Sequence, residues 1–367
     1  MAPSFDIFCR VVDNYGDIGV CWRLARRLSA AGAGMPVRLW VDDLAAFARI
    51  APHVDPNRAA QTVQGVDVRH WAGAAAAQPA QVVIEAFACT PPTPYLHRLT
   101  ARQVWINLEY LSAEEWVESC HGLPSLQPGG LRKFFFFPGF SSGTGGLLRE
   151  PDLIARRDAW QADPAARLAL LDTLGVEADW LERLRKGARL VYVFCYPDAP
   201  LAGLMNALAE LPDESLVLMP EGTGADVGRA LPRHPGVHVH AHRFVDQPTF
   251  DTLLWSADLN FVRGEDSLVR ALWAGRPMVW QAYRQESSLH LQKLDAWLER
   301  TPFSTQVRAL MHGWNVGDDA RITALLPELL QPDAMREWAQ TAQTYCTGLQ
   351  ALPELADSLG AFCAEHA

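Results

Sequence analysis

The sequence predicts an α/β protein built of two Rossmann-like halves. Two observations carry this reading. The first half alternates short apolar runs with helical patterns, and the alternation restarts after a long, charged, Ala-rich stretch. With 367 residues, 49% hydrophobic and 20% charged, the chain can bury two sizeable cores.

The runs FDIFCRVV, VRLWVDD, VDVRHW, QVVIEAFA and RQVWINLEYL are each bounded by polar or Gly/Pro punctuation. They read as strands of a mostly parallel sheet with helices on both faces. After the first run, Cys21, Trp22, Ala25 and Leu28 share one helical face. Arg23, Arg26 and Arg27 project elsewhere, toward a helix end where cations suit the dipole. The AGAAAA after Trp71 reads as a loop or helix start.

The stretch from Pro151 to Lys186 leads into a second series: RLVYVFCYP, ESLVLMP, GVHVHAH, DLNFVRG and RPMVWQA. From about Thr301 the pattern is helical only. Leu352, Leu355, Leu359 and Phe362 recur every three to four residues, so the last helix needs a surface to cover. The expected division is 1–176 with 349–367 for the first domain and 177–348 for the second. Such folds bind ligands at the carboxyl ends of their strands, which puts the expected site in a cleft between the halves. A nucleotide-dependent transferase, a two-domain binding protein and a dehydrogenase all fit this pattern.

A formal charge of −10 argues against nucleic acid as a partner, because phosphates require a basic footprint. Seven cysteines, without a CxxC pair, read as reduced thiols. The N-terminus lacks a signal-peptide pattern and no apolar stretch reaches membrane-spanning length, so the expected location is the cytoplasm. No His/Asp spacing singles out a metal site, and no cofactor is expected.

Two constellations bear chemistry. In VVDNYGDIGVCWRLARRL a strand breaks at Gly16 and Gly19 and resumes as a helix. The turn resembles a phosphate loop, yet Asp13 and Asp17 make it a poor neighbour for a phosphate, and the GxGxxG glycines of a dinucleotide site are missing. In FVRGEDSLVRALWAGRPMVWQ, Gly264 permits close backbone approach and the following helix N-terminus offers free N–H groups. Arg263 adds a forked cation that matches diphosphate oxygens. Glu265, Asp266 and Ser267 read either as caps and dipole partners or as contacts to sugar hydroxyls. Upstream, Phe244 and Phe250 flank a polar turn containing Gln247; aromatic rings stack on bases, and a Gln side chain both donates to and accepts from a pyrimidine edge. Phe194 and Tyr196 end the first strand of the same domain.

Weaker signals have plain structural readings. Ser112 with Glu115 forms a capping-box pattern. Glu85 and Glu109 stand near strand ends, and PGFSSGTGG reads as a lid, an acceptor-contacting loop or an ordinary surface loop.

The ordered set VVDNYGDIGVCWRLARRL, WINLEYLSAEEW, FFFFPGFSSGTGGLLRE, VYVFCYP and FVRGEDSLVRALWAGRPMVWQ closely resembles the EarP family, bacterial arginine rhamnosyltransferases of elongation factor P (EF-P). The resemblance implies a GT-B glycosyltransferase fold, with two Rossmann-like domains facing a central cleft and a C-terminal helix returning to the first. It implies dTDP-β-L-rhamnose as donor and EF-P as protein partner, with inverting transfer to one arginine. Carried over, the nucleotide-sugar contacts fall on Phe194, Tyr196, Phe244, Gln247, Phe250, Arg263, Gly264, Glu265, Asp266 and Ser267. Phe244 and Phe250 would sandwich the thymine. The acceptor side falls on Asp13, Asn14 and Asp17, and the catalytic group on Asp17, Asp13 and Glu265. The alternatives are a nucleotide-sugar epimerase-like enzyme of the same fold and a non-catalytic EF-P-binding protein.

Overall fold

The structure, a computed structural model, describes residues 3–12, 15–31, 36–222, 234–285 and 288–366. It divides into two compact units: Met1–Glu150 with Gln350–Ala367, and Pro151–Leu349. Among the described residues, no helix is long and apolar enough to cross a membrane.

The first unit holds an eight-stranded sheet. Its strands are β1 Phe5–Cys9, β2 Val37–Val41, β3 Ala60–Val63, β4 Val66–His70, β5 Val82–Ala86, β6 Val104–Leu108, β7 Pro124–Leu126 and β8 Arg132–Phe136. They lie in the order β3-β4-β2-β1-β5-β6-β8-β7. All pairs are parallel except β3/β4 and β7/β8 at the two edges. The five expected strands all form. The sequence reading missed three strands: the short edge strands β3 and β7, which carry little apolar signal because most of their residues are exposed or half-buried, and β8, whose RKFFF run was not read as a strand.

Side-chain alternation along β1 sets the layers. Cys9 meets Cys21 of the helix Gly16–Ala31 on one face, while Phe8 packs on Trp40, Trp71 and Tyr95 on the other. On the same face as Phe8, the fully buried Asp6 accepts hydrogen bonds from Arg38 Nε and NH2 (both 2.6 Å), Trp40 Nε1 (2.9 Å), the Ala80 N–H (2.9 Å) and the Tyr95 hydroxyl. A buried carboxylate is tolerated only when paired and hydrogen-bonded, and Asp6 is both.

Cys21, Trp22, Ala25 and Leu28 are buried as expected. Arg23 corrects the sequence reading: it is 2% exposed and lies 3.7 Å from Glu150. Arg27 bridges Glu354 (3.3 Å) and Asp357 (2.7 Å), which joins this helix to the C-terminal segment. The helix Leu355–His366 thereby completes the first unit, with Phe362 edge-on to Phe134 and Phe136.

PGFSSGTGG is neither lid nor open loop. Gly139, Thr144, Gly145 and Gly146 are buried, and the segment runs into the returning terminus through Leu147 N–H to Pro353 O (3.3 Å) and Leu355 N–H to Leu147 O (3.2 Å). At Gly146, φ is +76° and a Cβ would stand 1.9 Å from Pro353 O, so only glycine fits. The glycines serve close packing.

The second unit holds β9 Arg189–Val193, β10 Ser215–Pro220, β11 Val237–His242, β12 Leu259–Arg263 and β13 Met278–Gln281, all parallel, in the order β11-β10-β9-β12-β13. The expected boundary at 176/177 moves to Glu150/Pro151, and the later one to Leu349/Gln350. The reason is packing of the Ala-rich stretch. Arg157, 1% exposed, donates to Trp273 O (2.8 Å) and to Cys346 Sγ (3.1 Å), and Arg167 pairs with Asp258 (2.9 Å).

Asp6→Ala leaves a half-buried guanidinium, an indole N–H, an amide and a hydroxyl without their common acceptor. The expected loss is on the order of 3 kcal/mol in the first unit's unfolding free energy, measured by urea titration of tryptophan fluorescence. A loss below about 1 kcal/mol would contradict this account of the network.

Candidate active site

In the second unit the strand order reverses between β9 and β12, the position where open α/β sheets bind ligands. Phe194 and Tyr196 leave β9 there, and Arg263 ends β12. The Arg263 guanidinium lies 4.6 Å from the centre of each of their rings. It is 8% exposed, and among the described residues no carboxylate stands within ion-pair distance of it. Two aromatic faces hold the cation in orientation without neutralising it.

Arg263 is also the N-cap residue of the helix Gly264–Ala274, with no side-chain cap. Gly264 has φ +65°, a left-handed conformation that glycine adopts without strain, and its carbonyl accepts from Trp280 Nε1 (2.8 Å). Ser267 is buried, and Glu265 and Asp266 are half-buried in the first turn. Glu265 Oε1 lies 3.6 Å from Lys293 Nζ. A buried guanidinium beside helix amides is an anion site.

The helix Gln247–Ser256 starts with Asp246 capping the Thr249 N–H (3.0 Å) and brings in buried Gln247 and half-buried Phe250. Phe250 and Phe244 both stand edge-on to Phe194, at 5.4 and 6.2 Å between ring centroids. This helix is locked to Gly264–Ala274 by a buried fork, Arg270 Nε to Asp251 Oδ1 (3.0 Å) and NH2 to Oδ2 (2.6 Å). The predicted Phe194, Tyr196, Phe244, Phe250 and Arg263 therefore form one cluster of ring contacts. Cys195 between them is inert: burial pushes its thiol up to about 12.

Several neighbours escaped the sequence reading. Gln281, opposite Arg263 in register, accepts from the Tyr196 N–H (2.8 Å) and donates to Asp198 (3.1 Å), while Tyr283 stands edge-on to Tyr196 at 5.7 Å. Their place at the end of β13 was the available signal. Tyr192 and His242 stack at 5.9 Å; burial pushes the phenol up and the imidazole down to about 4, leaving both neutral.

In the first unit, Asp17 lies in the first turn of Gly16–Ala31, 4% exposed, and its Oδ2 accepts from the Val12 N–H at 2.9 Å. Asp42 accepts from the Val11 N–H (2.9 Å), so two carboxylates hold the strand exit. Asp13 and Asn14 lie outside the described residues. On the neighbouring strand β5, Phe87 and Ala88 take φ of 57° and 54°, and Phe87 stacks on Tyr110 at 4.7 Å. Paired left-handed non-glycine residues mark a strained strand exit beside Asp17's loop.

The weaker signals resolve into structure. Glu85 is 2% exposed and pairs with Lys133 (2.9 Å), its carboxyl pushed up by burial against the pull of that lysine. Glu109 accepts from Asn107 (2.5 Å). The capping box does not form: Ser112 Oγ accepts from the Glu114 N–H (3.0 Å), and the helix Trp116–Cys120 starts without a side-chain cap.

Comparison with known proteins shows one family. The family model described as elongation factor P (EF-P) rhamnosyltransferase EarP matches residues 5–364. A protein-arginine rhamnosyltransferase of Pseudomonas putida is 49% identical over 87% of this chain and 88% of its own, and one of Pseudomonas aeruginosa 45% identical over 99% of both. A solved structure described as the structural basis for EarP-mediated arginine glycosylation of translation elongation factor EF-P covers 99% of both chains at 32% identity, TM-score 0.64. The spinosyn forosaminyltransferase SpnP, at 9% identity and TM-score 0.55, shares the fold, which is GT-B.

Removing the uncompensated cation should weaken dTDP binding. Arg263→Ala is expected to lose about 10- to 100-fold in affinity by calorimetry, as for charge-assisted hydrogen bonds to phosphate. Unchanged affinity would remove Arg263 from the anion site.

Proposed function

Because the chain belongs to the EarP family of glycosyltransferases, we propose that it is a protein-arginine rhamnosyltransferase that moves L-rhamnose from dTDP-β-L-rhamnose to one arginine of EF-P, with inversion at the anomeric carbon, and so activates the factor. The observation that carries this reading is the buried Arg263, clasped by Phe194 and Tyr196 with no carboxylate partner among the described residues. Such a cation calls for an anion, and a nucleoside diphosphate supplies it.

The acceptor sets the harder problem. A guanidinium has a pKa of about 13.8 and an ordinary carboxylate one near 4. Full deprotonation before attack would cost roughly ten pK units, on the order of 13 kcal/mol, most of a typical barrier. The workable order is therefore late proton transfer. Asp17, with Asp13, grips the guanidinium and aims one nitrogen at the anomeric carbon. The nitrogen then grows more acidic as the C–N bond forms, and Asp17 takes its proton. Glu265 helps to bind and polarise. Arg263 and the amides at the start of Gly264–Ala274 stabilise the departing dTDP, so the reading routes no step through a metal. Phe244 and Phe250 take the thymine faces and Gln247 its edge. A translation factor as acceptor supports a cytoplasmic location, as do seven cysteines that form no disulfide and are mostly buried.

Asp17→Asn separates the roles. Donor affinity should stay within about twofold, while transfer to EF-P falls by roughly 10²- to 10⁴-fold, the usual contribution of a positioned base. Near-normal turnover in this variant would sink the assignment of Asp17.

A further inference from the structure

The reading of the reaction leaves a cluster of ligating side chains on the second unit unused. His238 and His240 alternate with Val237 and Val239 and so share one face of β11, the edge strand of the five-stranded sheet. Glu177 is the N-cap residue of the helix Ala178–Arg185, yet its carboxylate caps no helix amide. It turns toward the rings instead, with Oε2 3.6 Å from His238 Nε2 and 3.9 Å from His240 Nδ1. One ligand atom from each of the three residues lies within 4.8 Å of the other two.

Both rings are held in orientation. His240 Nε2 stands 3.1 Å from the Leu174 carbonyl oxygen, which can only accept, so Nε2 carries the proton. In the neutral ring, Nδ1 then presents its lone pair toward Glu177. Trp180 stacks on His238 at 5.0 Å with the planes 18° apart. A lone pair facing a carboxylate is favoured by a donor or cation between them: a proton, a water or a metal ion. Two imidazoles and one carboxylate are zinc-type ligands, and the second ring nitrogen bonded to a backbone carbonyl is the usual support of a metal-bound histidine. Bonds of about 2.1 Å in tetrahedral geometry set ligand atoms about 3.4 Å apart. The observed 3.6 and 3.9 Å to Glu177, whose side chain is 59% exposed, and the separation of up to 4.8 Å among the three ligand atoms close to that value by rotation of Glu177 and of the rings.

We propose that Glu177, His238 and His240 bind one divalent transition-metal ion of the zinc class, with water in the fourth position. The ion ties the edge strand β11 to the helix Ala178–Arg185. Strands β10 and β9 lie between this site and β12, so it stands apart from Arg263. The alternating histidines of VHVHAH were the signal in the sequence.

The test uses the full chain without an affinity tag, titrated with Zn²⁺ by calorimetry and with Co²⁺ by visible absorption. One ion should bind at about micromolar Kd or tighter, Co²⁺ should give the absorption of a tetrahedral site, and the thermal midpoint should rise with added Zn²⁺. Glu177→Gln and His240→Ala should each lose at least about tenfold in metal affinity, with dTDP affinity unchanged as the check on folding. No binding below about 100 μM, or equal binding in both variants, overturns the proposal. So does a magnetic-resonance titration that finds both imidazoles protonated at neutral pH and unmoved by Zn²⁺, which would make the cluster an ion pair.

Discussion

The donor side of this enzyme depends on one buried ion pair, the fork of Arg270 onto Asp251. Both partners are almost fully buried, at 2% and 6% exposed, so neither tolerates loss of the other. The fork fastens Gln247–Ser256, which carries Gln247 and Phe250, to Gly264–Ala274, which carries Glu265, Asp266 and Ser267. With the two helices fixed, the ring of Phe250 meets Phe194, and Phe194 in turn supports the guanidinium of Arg263. Base-type rings and phosphate-type cation are thus set at one spacing before any ligand arrives, and such pre-organisation is where binding energy is gained.

The contrast between Arg270 and Arg263 separates structure from function. Both are buried guanidiniums on or beside the same helix. Arg270 is neutralised within the protein by a carboxylate in fork geometry, and its role is complete in the fold. Among the described residues Arg263 meets aromatic faces and no carboxylate, and such faces orient a cation without neutralising it. In the first unit Asp6 is saturated by five donors, while Asp17, in the first helical turn at the exit of β1, accepts from the Val12 N–H. The proposed assignment of an anionic donor to Arg263 and of a cationic acceptor to Asp17 rests on this charge pattern.

The alternation of apolar runs was enough to read ten of the thirteen described strands, because parallel strands buried on both faces write themselves as continuous apolar segments, although the apolar run of β8 was passed over. The strands β3 and β7 left no such mark, since edge strands need no buried face. The site residues at strand ends were legible for the same topological reason, and Gln281 and Tyr283 were missed only because the rule was applied to β9 and β12 and not to β13. Composition misled where small residues serve packing: the glycines of PGFSSGTGG suggested mobility, yet Gly146 is there because Pro353 O leaves no room for a Cβ. Long-range partners were invisible in principle. Nothing near Arg23 in sequence announces Glu150, and nothing near Arg157 announces Trp273 and Cys346, which is why the domain boundary was drawn too late.

The central claim is that a phosphate-seeking cation and a guanidinium-seeking carboxylate serve a single transfer. The most direct measurement is the intact mass of EF-P after incubation with dTDP-β-L-rhamnose and a catalytic amount of this protein, followed by fragmentation to locate the addition. The account predicts one added deoxyhexose, carried on an arginine side chain. An unmodified EF-P, with both substrates shown to bind, or a sugar attached to any other residue type, would contradict it.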